Sequence, residues 1–167
     1  MTVYKNEKAL VNDFCKAVKE SFTDEFARHK CHAQKIETGA TGVGVPDLRL
    51  FTPKGATDVE FKLCDKWHKD KQGLYYCKPK FRPGQWDWAA RVFNTTNKRS
   101  LVFAVIGFKD MTTDDVFVYN YVVMPMTPAN WYASKEQNER IKSSNDLHTR
   151  TFCDTIHKVI DVIVDNV

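Results

Sequence analysis

The stretch from residue 44 to residue 63, GVPDLRLFTPKGATDVEFKL, constrains the fold more than any other part of the sequence. It contains two short runs in which apolar and polar residues alternate, separated by a segment with Pro53 and Gly55. Side chains of a strand alternate between its two faces, and proline with glycine marks a turn. The stretch therefore predicts a β-hairpin in which Glu60 and Lys62 share one face of the second strand. The apolar residues of the opposite face are Leu48 and Leu50 in the first run and Val59, Phe61 and Leu63 in the second.

Asp47 stands at the start of the first run. If the two strands pair antiparallel, Asp47 lies near Glu60, so that two carboxylates and the ammonium group of Lys62 meet at one edge of the sheet. Mg²⁺ prefers hard oxygen ligands and keeps several waters, and a neighbouring lysine can orient or deprotonate one of those waters. The hairpin is therefore a candidate metal site.

Two short motifs in this stretch carry a family resemblance. Pro46-Asp47, followed after twelve intervening residues by Glu60-Phe61-Lys62, resembles the PD-(D/E)xK nuclease signature. The longer strings GVPDLRL and VEFKL, together with a glutamine that opens a later helix, resemble the VRR-NUC branch of that superfamily. The resemblance covers residues 4–108 and leaves the last part of the chain outside it.

The resemblance implies an α/β fold of the restriction-endonuclease type, with an αβββαβ core and a mixed central sheet flanked by helices. It also implies a metal-dependent DNA endonuclease that uses Mg²⁺ or Mn²⁺. Stand-alone members of the VRR-NUC group resemble resolvases of branched DNA, and many are phage-borne and dimeric. A homodimer that cuts four-way (Holliday) junctions is therefore the preferred expectation.

The resemblance also assigns roles to individual residues. The implied metal ligands are the carboxylates of Glu7, Asp47 and Glu60 and the backbone carbonyl of Phe61. Lys62 is expected to position the attacking water or to stabilise the charge that develops on the phosphate, and Gln85 is expected to support the site.

Glu7 belongs to a first helix that the periodicity predicts over residues 4–22. The apolar stripe of this helix consists of Leu10, Val11, Phe14 and Val18, and Glu7 falls on the same stripe. A carboxylate on a buried face needs a partner, which a metal site would provide. The alternative is an acid that the helix dipole favours in the first turn and that has no further function.

Gln85 belongs to a second helix, predicted over residues 82–93 with Pro83 in its first turn. Spacings of three and four residues place Gln85 on the inward stripe with Trp88 and Ala89. A buried glutamine needs hydrogen-bond partners. These are either backbone groups or the side chains of the active site.

The segment between these elements is basic. From residue 62 to residue 82 the chain has seven lysines and arginines against two aspartates, although its net charge is only +4. Basic side chains neutralise phosphates, and aromatic rings stack on exposed bases. The segment is therefore a candidate nucleic-acid surface, the alternative being a solvated loop held by a few rings. The expected DNA contacts are Lys66, Lys69, Lys71, Lys78, Lys80 and Arg82, and the interleaved rings are Trp67, Tyr75, Tyr76 and Phe81.

We expect the remainder of the chain to belong to the same domain. Residues 101–108 form an apolar run typical of a strand buried on both faces, and residues 116–124 predict the next strand. The nuclease core is expected to span residues 1–126. Residues 127–167 are expected to be a C-terminal helical extension of that domain, with a helix cap at Thr127, a polar part at 134–147 and an amphipathic last helix. The apolar residues of that helix are Phe152, Ile156, Val159, Ile160 and Ile163.

Several classes of protein are disfavoured by the sequence. The longest apolar run is too short to cross a bilayer, and the charged first residues do not resemble a signal peptide. These two features predict a cytoplasmic protein. If the protein is phage-encoded, the expected compartment is the cytoplasm of the bacterial host. The five cysteines include no CxxC pair, which argues against zinc ribbons and a disulfide framework. The loop Thr38–Gly44 lacks the P-loop order and is expected to let the backbone approach DNA or a partner closely. His29 and His32 are expected to be surface residues.

Other functions remain open beside junction cleavage. A nuclease of the same chemistry could act on nicks, flaps or a short duplex sequence. A non-catalytic DNA-binding module could keep the fold without the activity. A purely structural protein would leave the convergence of Asp47, Glu60 and Lys62 without an explanation.

Overall fold

A mixed sheet crosses the centre of the molecule, with helices on both of its faces. The computed structural model describes residues 3–36, 44–96, 101–112, 119–130, 141–142 and 150–167. Three helices have bounds within these residues: α1 (Glu7–Glu20), α2 (Pro83–Thr95) and α3 (Ile156–Asp165). The strands are β1 (His32–Lys35), β2 (Leu48–Thr52), β3 (Gly55–Cys64), β4 (His68–Lys69), β5 (Tyr75–Cys77), β6 (Val102–Phe108), β7 (Tyr121–Pro125), β8 (Ile141–Lys142) and β9 (Thr151–Cys153).

The main sheet has the strand order β1-β2-β3-β6-β7-β9, and β4, β5 and β8 form a smaller sheet. Only β3 and β6 pair in parallel in the described part of the main sheet. A parallel pair needs a crossover connection, which the segment containing β4, β5 and α2 supplies. The element order α1-β1-β2-β3-α2-β6 is the predicted αβββαβ arrangement. The predicted α/β class, with a mixed sheet flanked by helices, is confirmed.

The predicted hairpin is also confirmed. β2 and β3 pair antiparallel with Leu48 opposite Val59, and Thr52 pairs with Gly55 across the turn. Gly55 has a φ of 140°, which lies in a region of backbone conformation that residues other than glycine rarely adopt. The glycine therefore allows the chain to reverse at this point.

The alternation along β3 assigns its side chains to two different cores. Val59 and Phe61 lie in the core under α1 and α3, where Phe14 of α1 meets the Phe61 ring edge-on at a centroid distance of 5.2 Å. Cys64 lies in the second core, which α2 covers together with the smaller sheet. Glu60 and Lys62 alternate with the first set, so they belong to the face that α2 covers.

Two predicted elements begin later than expected. The first helix starts at Glu7 because the Asn6 side chain accepts a hydrogen bond from the Ala9 N–H and caps it, while the Tyr4 N–H donates to Phe108. The strand predicted at 116–124 is β7, which starts at Tyr121. Residues 119 and 120 precede the strand: the Tyr119 carbonyl accepts from the Trp67 indole N–H, and the Asn120 side chain donates to the Asp154 carbonyl.

The C-terminal extension, expected to be helical, also contributes strands to both sheets. β9 pairs antiparallel with β7 at the edge of the main sheet, and β8 pairs with β5 in the smaller sheet. Phe152 lies in β9, because the last helix starts only at Ile156, behind its cap Thr155. The amphipathic helix itself is confirmed as α3, which packs in the same core as α1. The Thr127 hydroxyl accepts from the Asn130 N–H as the predicted cap would, and most of 134–147 lies outside the described residues.

None of the helices in the described ranges is long and apolar enough to cross a membrane. All five cysteines are free; Cys15 is half-buried and the other four are buried.

Candidate active site at one end of the sheet

Three adjacent strands end at the same edge of the molecule. The last residues of β1 and β3 lie there, and so does Asp47, which directly precedes β2. Leu48 faces Val59, so the next pair in the same register is Asp47 with Glu60. The Asp47 carboxylate accepts a hydrogen bond of 2.9 Å from the Phe61 N–H. The predicted approach of the two acids is therefore found.

Glu60 and Lys62 form a buried ion pair. The Lys62 Nζ lies 2.8 Å from the Glu60 Oε1, and the side chains are only 6% and 3% exposed, respectively. The Lys62 ammonium also lies 5.7 Å from the centre of the Phe81 ring, which makes a cation–π contact. Burying two charges is costly, and an ion pair rarely returns more than that cost. The pair is thus a poor candidate for a purely stabilising feature.

Gln85 fixes the orientation of Glu60. Its Nε2 donates a short hydrogen bond to the Glu60 Oε1, and its Oε1 accepts a 2.9 Å hydrogen bond from the Arg82 N–H. The second bond belongs to a capping box at the start of α2. The inward glutamine therefore bonds both to backbone and to the Glu60 carboxylate.

The pKa values of both carboxyl groups are raised. Burial raises the pKa of Glu60 to about 7, repulsion from Asp47 adds to this, and the Lys62 ammonium opposes it. Burial also raises the pKa of Asp47, against the lowering effects of the Phe61 N–H and Lys62. Burial and the neighbouring charge of Asp47 thus disfavour the ionised form of Glu60, and a bound cation would favour it.

The donor set fits a hard divalent cation. The Glu60 Oε2 is buried and has no hydrogen-bond partner, although the other oxygen has two. The backbone N–H and C=O groups of one strand residue point to the same side of the strand. Because the Phe61 N–H donates to Asp47, the Phe61 carbonyl also points to the side of Asp47, which precedes β2. Among the described residues no three His, Cys, Asp or Glu side chains are grouped to hold a metal. Mg²⁺ is usually held by one or two carboxylates and keeps several waters, which is what Asp47 and Glu60 offer.

Glu7 has a different position from the one predicted. It is exposed rather than buried, as the first residue of α1 behind the cap Asn6. It lines an open cavity together with Asp47, and its charge contributes to the raised pKa of Asp47 and of Glu60. The helix dipole accounts for an acid at this position, and the three predicted carboxylates do not form one close group.

The end of the glycine-containing loop packs against the protein itself. Gly44 has a φ of 103°, and a Cβ placed on it would lie 2.0 Å from the carbonyl oxygen of Gly84 in the first turn of α2. The close approach predicted for DNA or a partner is thus made at this position with α2. Residues 38–43 lie outside the described residues.

The basic segment contains a short antiparallel pair of strands, β4 and β5. We call residues 66–82, which include β4 and β5, the basic hairpin. All six predicted DNA contacts are exposed, and two lysines lie over tyrosine rings, Lys69 at 5.4 Å from the centre of Tyr75 and Lys78 at 5.9 Å from that of Tyr76. Trp67 is not available for stacking on bases, because it is buried against Phe108 and donates to a backbone carbonyl.

His29 is half-buried, with its Nε2 3.4 Å from the Asp165 carboxylate, so the prediction of a surface residue is wrong in part. His32 is exposed and its ring lies beside that of Phe51, as a surface residue would.

Sequence reasoning missed the residues of the open cavity. Lys8 and Asn12 on α1 and Lys35 at the end of β1 line it, beside Glu7 and Asp47. The spacing of four residues between Lys8 and Asn12 shows that they share a helix face, but nothing in the sequence indicates that β1 ends beside that face. No family model, curated protein or solved structure matches this chain.

Proposed function

We propose that this protein is a metal-dependent nuclease that hydrolyses phosphodiester bonds in DNA. The observation that carries the proposal is the state of Glu60. One of its oxygens is fixed by Lys62 and Gln85, and the other is buried, unpartnered and close to a second carboxylate, Asp47. A site that leaves a buried anionic oxygen without a partner is prepared for a cation.

Asp47, Glu60 and the Phe61 carbonyl are the groups that would hold Mg²⁺ or Mn²⁺, with Glu7 adding negative charge nearby. A bound divalent cation supplies a water of lowered pKa and neutralises charge on the phosphate that is attacked. Gln85 and the Phe61 N–H hold Glu60 and Asp47 in fixed orientations without the cation, which reduces the reorganisation that binding requires.

Lys62 is the residue that acts on the substrate in this proposal. An ammonium group has three donors, and Glu60 occupies one of them. The remaining donors can orient the attacking water or bind a phosphate oxygen whose charge increases during the reaction. Because Glu60 and the Phe81 ring restrict it from two sides, Lys62 loses little freedom when the substrate binds.

The basic hairpin supports DNA as the substrate. It follows directly after β3, the strand of Glu60, and the charge of Arg82 at its end opposes the rise that burial causes in the pKa of Asp47; its lysines are exposed and its tyrosines offer ring surface. We further propose branched DNA as the preferred substrate and a homodimer as the active form, on the ground of the resemblance to resolvases. Cleavage of nicks, flaps or a duplex sequence is the alternative with the same chemistry.

Purified protein is expected to cut DNA only when Mg²⁺ or Mn²⁺ is present. The test uses one labelled strand in a four-way junction, a flap, a nicked duplex and a linear duplex, each with the cation or with EDTA. Cation-dependent cleavage of the junction above the others supports the preferred version. Binding without cleavage on every substrate would contradict the nuclease proposal and favour a DNA-binding module.

Cation binding is expected to depend on pH through the raised pKa of Glu60. Its pKa of about 7 lies above that of an unfolded glutamate, so ionising it costs folding free energy, and this cost increases as the pH rises from about 4.5 to about 7. Below pH 7 a proton competes with the cation for the carboxylate. Mn²⁺ should therefore raise the melting temperature at pH 8 clearly more than at pH 5.5.

Thermal unfolding with and without Mn²⁺ at both pH values measures this effect. The double variant Asp47→Asn/Glu60→Gln is the control and should show no cation-dependent rise. An equal rise in the control would place the binding of Mn²⁺ elsewhere on the protein.

A further inference from the structure

An open cavity of about 680 Å³ lies beside the carboxylates, between the first two turns of α1 and the end of β1. We call it the α1 cavity. Its volume lies in the range of about 300–1,000 Å³ that is usual for ligand sites. It shares Asp47 and Glu7 with the candidate active site, so a ligand in the cavity touches whatever is bound there.

Two lysines give the α1 cavity a basic wall. Lys8 projects from α1 and Lys35 stands at the end of β1, where its Nζ donates a hydrogen bond of 2.6 Å to the Asn12 Oδ1. That bond holds the Lys35 ammonium at the cavity and leaves two of its donors for a ligand. The Asn12 amide group adds neutral donors at the same place. This wall matches an anion with several oxygens.

The other lining residues divide the cavity into zones. Glu7 and Asp47 form its acidic end, and Val11 and Ile36 add apolar surface. An anion bound at the acidic end would be repelled, so it belongs at the lysine wall. The backbone of DNA, which alternates phosphate and deoxyribose, fits this division. The phosphate would lie on the lysines, and the C–H groups of the sugar would lie against the apolar residues.

The strand order places the α1 cavity opposite the basic hairpin. β1, which carries Lys35, is the strand on one side of the hairpin β2–β3 that holds the carboxylates. The basic hairpin packs toward the other side, where Trp67 contacts Phe108 of β6 and Phe152 of β9. Positive charge therefore flanks Asp47 and Glu60 on both sides.

We propose that the α1 cavity binds the phosphodiester backbone of the strand that is cut, on the side of the cut that faces away from the basic hairpin. Lys8, Asn12 and Lys35 contact a phosphate there, so the strand is held on both sides of the reacting phosphate. The inference rests on the proposed nuclease function and extends it to the path of the substrate.

The cavity variant for the test is Lys8→Gln/Lys35→Gln, which removes two charges and keeps polar side chains of similar length. The matched control is Lys16→Gln/Lys19→Gln, which removes two exposed lysines of α1 that do not line the cavity. A hairpin variant replaces Lys69, Lys71, Lys78 and Lys80 with glutamine. Exposed lysines contribute little to stability, so circular dichroism should show all three variants folded.

The first measurement is affinity for a labelled junction in EDTA over a series of salt concentrations. Each phosphate contact that is lost should reduce the slope of log K against log salt by about 0.7–0.9. The cavity variant is expected to bind about tenfold more weakly at low salt and to lose about 0.7–0.9 in slope, as for one phosphate contact. The control is expected to match the wild-type protein. A cavity variant with the slope of the control would overturn the inference.

The second measurement locates the contact. One neutral methylphosphonate linkage is moved along the strand, and each substrate is titrated with each protein. A neutral linkage weakens binding only where a charged group of the protein contacts it, so a variant without that group is insensitive to it. The cavity and hairpin variants should become insensitive to two separate groups of linkages, on opposite sides of the cut. If both variants became insensitive to the same group of linkages, the inference would be overturned.

These measurements also separate the inference from the proposed function. Both use binding without a divalent cation, so a protein that binds but does not cut contradicts the nuclease proposal and still tests the cavity. A wild-type protein that binds no nucleic acid would overturn both.

Discussion

Asp47→Asn and Glu60→Gln are each expected to reduce the cleavage rate by about three orders of magnitude or more while the affinity for DNA changes little. Each substitution keeps the shape of the side chain and removes the negative charge that a cation needs. Loss of one preorganised electrostatic contact alone costs about 10²–10³ in rate, and here the hydrolytic water depends on the same cation. Single-turnover cleavage and fluorescence anisotropy measure the two quantities.

Asp58 provides the matched control. It is a buried carboxylate on the same strand, two residues before Glu60 and on the same face, but it pairs with the Arg49 guanidinium at 2.8 Å. Asp58→Asn tests whether loss of a buried charge from β3 is enough to impair the protein. The control should keep its activity at temperatures at which it is folded. Full activity of Asp47→Asn or Glu60→Gln, or equal loss in the control, would contradict the assignment of these acids as metal ligands.

The part of the site that sequence predicts is the part that depends on local alternation. The period of two along the hairpin fixes which side chains share a face, so the meeting of Asp47, Glu60 and Lys62 follows from the pairing of two adjacent strands. The inward position of Gln85 follows in the same way from the helical period. Glu7 shows the limit of this reasoning, because the same helical period places it on the buried stripe although it is exposed in the first turn of α1.

The remainder depends on packing between elements distant in the sequence. The burial of Trp67 depends on Phe108 and Phe152, and composition alone makes this ring look like any other aromatic side chain of a basic segment. The α1 cavity requires that Lys35 of β1 lie beside Asn12 of α1. These two residues are 23 positions apart in the sequence. β9 joins the sheet although it is only three residues long, too short for a period to identify.

The cost of the buried ion pair is a further argument for its function. A buried pair of opposite charges is often no more stabilising than apolar residues of the same volume. β3 nevertheless has Glu60 and Lys62 at two successive positions of one face, beside the second core, and both side chains are buried. Sites that perform chemistry commonly retain groups that reduce stability, which favours a reactive role for this pair over a structural one.

Lys62→Ala is expected to lower the cleavage rate by about 10²–10⁴, the range for a group that transfers a proton or stabilises charge in the transition state. The loss should fall on the rate of the bound complex more than on affinity, because only one of many positive charges near the DNA is removed. Lys62 also opposes the raised pKa of Glu60, so its removal raises that pKa further. The acidic limb of the pH–rate profile should therefore move to higher pH.

Two comparisons distinguish this role from a general contribution to the basic surface. Lys109→Ala removes a half-exposed lysine that pairs with Asp65 at the surface, and it should cost less than about tenfold. The double variant Glu60→Gln/Lys62→Ala should be hardly slower than Glu60→Gln alone, because residues that act as one catalytic unit are not additive. If Lys62→Ala loses less than tenfold, Lys62 does not contact the reacting phosphate; if the two losses multiply, Lys62 and Glu60 act independently and not as one catalytic unit.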